Sequence, residues 1–373
     1  MNAVFKEWKK IGSEIGPALP GLALVIIVAV VSRLLFNLMP WDVLKKTLSE
    51  VLIAIIVGLL IRNLASIPKT CEPGIKFALQ RVLRFAIILL GLRLSLQAVV
   101  KTGVSALLLI LVCMSVALSL AYLAGRFFKI PYRLAALIGV GTAICGNSAI
   151  VATAPVIEAK DEDVSFAVAT ITLFGTLAVV LYPLIGHALN LTNGAFGYWA
   201  GSAVNDTSQV VATGASYSQA ALDVATVVKL TRNTLMAPLI VMIGLVYARA
   251  NQKQLTGKAA DATKLTLGKL VPWFVLGFLI MTLIRTVGVA MNVLPQSTSK
   301  PGDLKTAADV LVFIDEVAKF AILMALSGIG LGTRFAEMRK TGLKPFVVGL
   351  CVAAILATLS LTLIMVFGLG GVA

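Results

Sequence analysis

Eleven apolar segments follow one another along the chain, at about 20–40, 50–62, 77–97, 103–125, 134–157, 164–189, 197–219, 223–248, 270–293, 310–333 and 343–369. Most approach the roughly 20 residues that a helix needs to cross the hydrocarbon core of a bilayer. Lipid offers no water to satisfy open backbone groups, so only helices and closed barrels span it. The composition agrees, with 59% of the 373 residues hydrophobic and 13% charged, which is too apolar for a soluble domain. The expected fold is an all-α polytopic membrane protein with about 9–11 membrane segments.

The net charge of +15 raises nucleic acid as a partner, but the basic residues are concentrated between the apolar segments. They are Lys6, Lys9 and Lys10; Arg62, Lys69, Lys76, Arg81 and Arg84; Arg126, Lys129 and Arg133; Arg249, Lys253, Lys258, Lys264 and Lys269; and Arg334, Arg339, Lys340 and Lys344. Placing every cluster in the cytoplasm gives a consistent alternation across a cell inner (plasma) membrane, with the N-terminus cytoplasmic and the C-terminus outside. No nucleic acid is expected. Residues 1–19 read as an interfacial amphipathic N-terminus, 20–189 as a first membrane half, 190–249 as a second broken segment with its following span, 250–269 as a cytoplasmic linker and 270–373 as the remaining spans. The four cysteines are scattered and His187 is the only histidine, so neither a metal site nor a hydrolytic triad is indicated.

Within the segment 134–157, the run from Thr142 to Ser148 is small, polar and punctuated by glycine. Glycine costs a helix interior roughly 1 kcal/mol relative to alanine. Gly139, Gly141, Gly146 and Pro155 therefore predict a helix that breaks. The pattern recurs in the segment 197–219, where Gly201–Gly214 aligns with Gly141–Ala154 at a constant offset, 201 − 141 = 60. A fainter match links Arg84-Phe-Ala-Ile-Ile to Lys319-Phe-Ala-Ile-Leu, each followed by Lys-Thr-Gly (101–103 and 340–342). Two inverted repeats, with broken or re-entrant segments meeting near the midplane, are a secondary-carrier architecture. Whether the two segments span or re-enter stays open in the sequence, as does simple close packing of small residues.

The polar residues of the two breaks are the candidate substrate ligands: Thr142, Cys145, Gly146, Asn147 and Ser148 in one, Asn205, Asp206, Thr207, Ser208 and Gln209 in the other. Lys229, Arg232 and Asn233 join them on one helical face just downstream. An intramembrane charge marks a functional site by default. For Lys229 and Arg232 the alternative is snorkelling to an interface. Asp206 reads equally as an N-cap, a partner for a cation, or a carrier of a proton or sodium. Lys319 and Asp315, four residues apart, form a further coupling or charge pair.

The runs Gly-Thr-Ala-Ile-Cys-Gly-Asn-Ser-Ala-Ile (141–150), Gly-Ser-Ala-Val-Asn-Asp-Thr-Ser-Gln-Val (201–210) and Val-Lys-Leu-Thr-Arg-Asn (228–233) resemble the YeiH-type sulfate exporter family of bacterial inner-membrane proteins. The resemblance implies a relationship to bile-acid-symporter-like and citrate-symporter-like carriers, with inverted repeats and a moving core. The expected function is a secondary transporter of a small anion, a sulfur oxyanion such as sulfate or sulfite, working by alternating access around the two broken segments. The expected partners are that small inorganic or organic anion and the lipid bilayer, with a homodimer left open. No cofactor is expected beyond coupling to H+ or Na+. An anion channel is the alternative, followed by an intramembrane enzyme or a sensor subunit. No P-loop pattern appears, which argues against a nucleotide-driven pump.

Overall fold

A computed structural model describes residues 2–38, 49–250, 273–291, 293–294, 307–334 and 343–371. Among these residues the regular elements are helices and no strand occurs, as expected of an all-α membrane protein. Among the described residues four helices are long and apolar enough to cross a membrane: Ile15–Leu38, Leu96–Phe127, Asp161–Ala188 and Lys344–Phe367. A fifth arises if Gln219–Thr234 and Pro238–Tyr247, bent by 41°, form one span. Several of the other apolar segments are built from shorter helices. The segment 134–157 becomes two helices, as does 197–219, and 77–97 is an assembly of helical pieces. The expected linker, from residue 251 onward, and the Lys-Thr-Gly at 340–342 lie outside the described residues.

The chain divides into two compact units, Met1–Leu96 with Gly277–Phe335, and Gln97–Leu276 with Ala336–Ala373. The first contains α1 (Asn2–Leu38), α2 (Glu50–Leu64), α3 (Glu72–Phe77) and α4 (Leu83–Leu90). In α1 the expected amphipathic stretch is continuous with the first apolar segment in a single helix. Ser49 starts α2 by accepting from the Leu52 amide at 3.2 Å, and Glu50 and Arg62 complement the helix dipole at its two ends.

The helices α13 (Trp273–Ala290) and α14 (Ala307–Gly332) come from the far end of the chain. Most of α13 and the whole of α14 belong to the first unit. There α14 runs beside α2 in the same direction. Arg33 reaches Glu50 at the start of α2 (3.7 Å) and Glu316 in the first half of α14 (3.5 Å). At the other ends the Asn63 amide donates to the Thr333 carbonyl at 3.1 Å. Between these ties the two backbones meet at Gly58 and Gly330, the close approach that small residues permit in membrane helices.

The second unit contains α5 (Leu96–Phe127), α6 (Tyr132–Ala143), α7 (Asn147–Thr153), α8 (Asp161–Ala188), α9 (Asn193–Ala203), α10 (Thr207–Tyr217), α11 (Gln219–Thr234), α12 (Met236–Ala250) and α15 (Leu343–Phe367). The interruptions 144–146 and 204–206 fall at the same offset as the sequence repeat, 204 − 144 = 60. Helix α9 is buried from Ala195 to Ala203, and α6 from Leu137 to Ala143. A helix apolar on all sides belongs in an interior. Trp199 pins α9 in place, stacking on Tyr182 (centroids 4.1 Å apart) and donating to the Ala357 carbonyl at 2.9 Å.

The contact between α2 and α14 yields a test. A Cβ at residue 330 would lie 2.3 Å from the Ile55 carbonyl oxygen, whereas one at Gly16 would meet nothing within 4 Å. Gly330→Val should therefore destabilise the protein by about 1–3 kcal/mol, the usual range for forced overpacking. Thermal unfolding in detergent should show a lowered midpoint for Gly330→Val and none for Gly16→Val.

Candidate functional site

The site is built around the two interruptions. Helix α6 ends at Ala143, and the chain turns through Gly146 at φ +68°, a conformation that favours glycine. A Cβ there would also come within 3.2 Å of Asp206, so the first interruption touches the second. Helix α9 ends at Ala203, and Asp206 starts α10. Two half-helices thus end, and two begin, inside one buried region. The last carbonyls of α6 and α9 then need donors that the helices cannot supply.

Helix α11 supplies them. Ser218 caps its start, accepting from the Ala221 amide at 3.0 Å. It packs tightly on α9 because Gly197 and Gly201 leave room for it. A Cβ at residue 201 would lie 2.8 Å from the Ala225 carbonyl oxygen. One turn further along, Lys229 and Arg232 project past the end of α9, each 1% exposed. The Lys229 ammonium donates to the carbonyls of Ile144 (2.8 Å), Val204 (3.2 Å) and Asn205. The Arg232 guanidinium donates to those of Ala143 (2.6 Å), Ser202 (2.8 Å), Val204 (3.2 Å) and Thr142. Both cations thus bridge the end of α6 to the end of α9. Their burial rules out snorkelling. The Arg232 guanidinium, expected among the substrate ligands, is occupied by backbone carbonyls.

The starting ends are organised by side chains. The Asp206 carboxylate accepts from the Ser208 amide (2.9 Å) and hydroxyl (2.7 Å), and Gln209 closes a capping box by accepting from the Asp206 amide at 3.2 Å. The N-cap reading of Asp206 is the geometry found. Asn233 donates to the Thr207 hydroxyl at 3.2 Å, while its own carbonyl oxygen has no partner. The carbonyl oxygens of Asn147 and Asn205 are likewise unpaired. Cys145 is buried and lies 3.4 Å from the Met236 sulfur. The Thr142 hydroxyl turns back onto the Ile138 carbonyl at 2.9 Å, so its backbone carries its part in the site. Ser148 is exposed.

Two contributors escaped the sequence reading. Thr172 on α8 joins both starting ends: its hydroxyl accepts from Asn147 at 3.4 Å and its carbonyl accepts from Gln209 at 3.2 Å. Gly175, a turn later, makes room for Gln209, whose Oε1 would lie 1.8 Å from a Cβ at that position. The available signal was the run of small and polar residues, Thr170, Thr172, Gly175 and Thr176, in an otherwise apolar segment. Lys319 and Asp315 lie in the first unit. They pair with each other at 2.9 Å, and Asp315 also pairs with Arg93 at 3.1 Å.

Arg232→Lys provides the test of this geometry. One ammonium cannot replace four donations spread over two helix ends, and each buried acceptor left unpaired costs about 1–3 kcal/mol. The variant should melt at a clearly lower temperature than the wild type. Equal melting would show that the fork does not hold the two ends together.

Known proteins resemble this chain over most of its length. A family model described as "Conserved hypothetical protein 698" matches residues 20–349. A UPF0324 membrane protein of Clostridium tetani is 32% identical over 354 residues, covering 93% of this chain and 97% of that protein. Relatives of the same description occur in Fusobacterium nucleatum (35% identical, 86% of this chain and 90% of the relative) and Streptococcus pneumoniae (36%, 84% and 89%). With the helical architecture above, these matches show that the chain belongs to the conserved hypothetical protein 698 family of UPF0324 membrane proteins.

Proposed function

We propose that this protein is a secondary transporter of a small anion, working by alternating access around the two interrupted segments. The supporting observation is a pair of basic side chains in the interior of the second unit. Lys229 and Arg232 are fully buried and bound to backbone carbonyls, and neither forms an ion pair with a carboxylate among the described residues. Carbonyl dipoles solvate the two cations but cannot neutralise them. A buried net charge without a counter-ion is costly, and a small anion entering beside the starting ends of α7 and α10 would offset it. The favoured substrate is a sulfur oxyanion such as sulfate or sulfite, carried outward. That choice rests on the resemblance in the motifs 141–150, 201–210 and 228–233. Asp206, which touches the first interruption and starts α10, is the group through which H+ or Na+ coupling would run.

Purified protein in liposomes, offered sulfate, sulfite, a sulfonate, phosphate and chloride with and without pH and sodium gradients, tests the reading. Flux should saturate for at least one oxyanion and accelerate when the same anion is present on the far side. Linear flux without that acceleration would indicate a channel instead. Absence of flux for the whole panel would remove the anion-carrier reading.

A further inference from the structure

The two half-helices of the first interrupted segment begin and end on one side of the second unit. Arg133, in the first turn of α6, and Glu158, beyond α7, lie 3.7 Å apart. The chain between them therefore enters and leaves by one mouth, as a hairpin with its tip at residues 144–146. Glu158 holds φ +51°, a left-handed conformation that is costly outside glycine and persists only where surrounding contacts fix it. Tyr247, near the end of α12, supplies one such contact. Its hydroxyl accepts from Arg133 at 3.0 Å and donates to the Glu158 carboxylate at 3.1 Å. Its ring stacks beside Tyr132, with centroids 6.4 Å apart.

Helix α12 follows this hairpin from tip to mouth. At its start the Met236 sulfur lies 3.4 Å from Cys145 at the tip, and at its far end Tyr247 bridges the mouth. Between them Leu239 and Ile243 continue one helical face and pack into the core that holds Ile144 and Ile157. The opposite face, with Met242, Leu245 and Val246, is exposed. Helix α12 meets α11 at a 41° bend, with Leu235 at the break and Pro238 just beyond it. Proline has no amide to offer the Thr234 carbonyl, so the joint lacks a hydrogen bond that would stiffen it. On one side of the joint α11 is pinned through Lys229 and Arg232 to the helix ends. On the other, α12 ends at the mouth.

We propose that α12 is a gate over the first hairpin, hinged at residues 234–238 and latched by Tyr247 between Arg133 and Glu158. When the latch opens, α12 swings from the mouth and admits water to Cys145 and the interruptions beside it. Apolar helix faces part at less cost among lipid tails than in water, which leaves the polar latch a large share in how often the gate opens. The neighbouring basic residues Arg126, Lys129 and Arg133 assign the mouth to the cytoplasmic side. The purpose of the gate rests on the transport reading above, but its opening is measured without flux, so either can fail alone.

The full chain with Cys71, Cys113 and Cys351 replaced by serine keeps Cys145 as its one thiol. Alkylation of that thiol by a maleimide, in detergent micelles, reads the population of the open gate. Tyr247→Phe removes the latch hydroxyl alone and should speed labelling about fivefold, the usual worth of one hydrogen bond. Arg133→Gln should speed it likewise. Gly330→Val, which lowers stability in the first unit, should leave the rate unchanged and so separates gating from unfolding. Pro238→Ala returns an amide donor to the joint and should slow labelling, an outcome that misfolding cannot mimic. The proposal fails if Tyr247→Phe labels at the wild-type rate, if Gly330→Val labels as fast as Tyr247→Phe, or if Pro238→Ala speeds labelling.

Discussion

The arrangement of the second unit depends on how two buried cations satisfy two helix ends. A helix that stops inside an apolar environment leaves its last carbonyls without donors, and lipid offers none. Here α6 and α9 both stop in the interior, and Lys229 and Arg232 together serve six of the carbonyls at those ends. The carbonyl ends of the half-helices carry partial negative charge, so the cations satisfy hydrogen bonds and oppose the dipoles together. Without them the interruptions would be untenable where they are. With them, the chain can hold irregular backbone in a place where side chains and backbone amides converge.

The starting ends follow the opposite logic. Asp206 and Gln209 cap α10 from within, and Thr172 on α8 ties Gln209 and Asn147 to one residue. Finishing ends are therefore fixed by α11, and starting ends by α8 together with Asn233 of α11, which donates to Thr207. Both sets of contacts converge on the same few residues of backbone. The unpaired amide oxygens of Asn147, Asn205 and Asn233 sit on the elements thus held. With the Thr153 and Thr176 hydroxyls, they are polar capacity left on these elements once the structural bonds are made.

Much of this was legible in the sequence. The apolar segments gave the class, and the glycine-punctuated repeat located both interruptions, which fall 60 residues apart in the fold as in the alignment. The common face of Lys229, Arg232 and Asn233 was equally visible from spacing. Their hydrogen-bond partners were not. A backbone carbonyl carries no residue identity, so nothing in the sequence marks Thr142 or Ser202 as an acceptor. The spacing therefore marked Arg232 as a candidate substrate ligand but not as a donor to helix ends. The position of Thr172 was hidden for a related reason: one of its two contacts is made through its main chain. The grouping of α15 with the second unit, and of most of α13 and the whole of α14 with the first, depends on packing between distant parts of the chain, which local periodicity does not report.

The two units handle charge in different ways. In the first, charged side chains lie at the two ends of the α2–α14 pair and are partnered mainly by other charged side chains, with Arg33, Arg62, Arg93 and Arg334 all in ion pairs with carboxylates. In the second, Lys229 and Arg232 lie in the interior and are partnered by main chain. An exposed ion pair tolerates exchange of lysine for arginine, because its energy is small and its geometry loose. A cation that bridges two helix ends does not, because the number and direction of its donors decide which carbonyls are served. The interior positions are therefore constrained in shape as well as in charge. That constraint separates a site formed by broken helices from an ordinary packed interface: glycine opens the path for α11, and α11 then closes the ends that glycine helped to break.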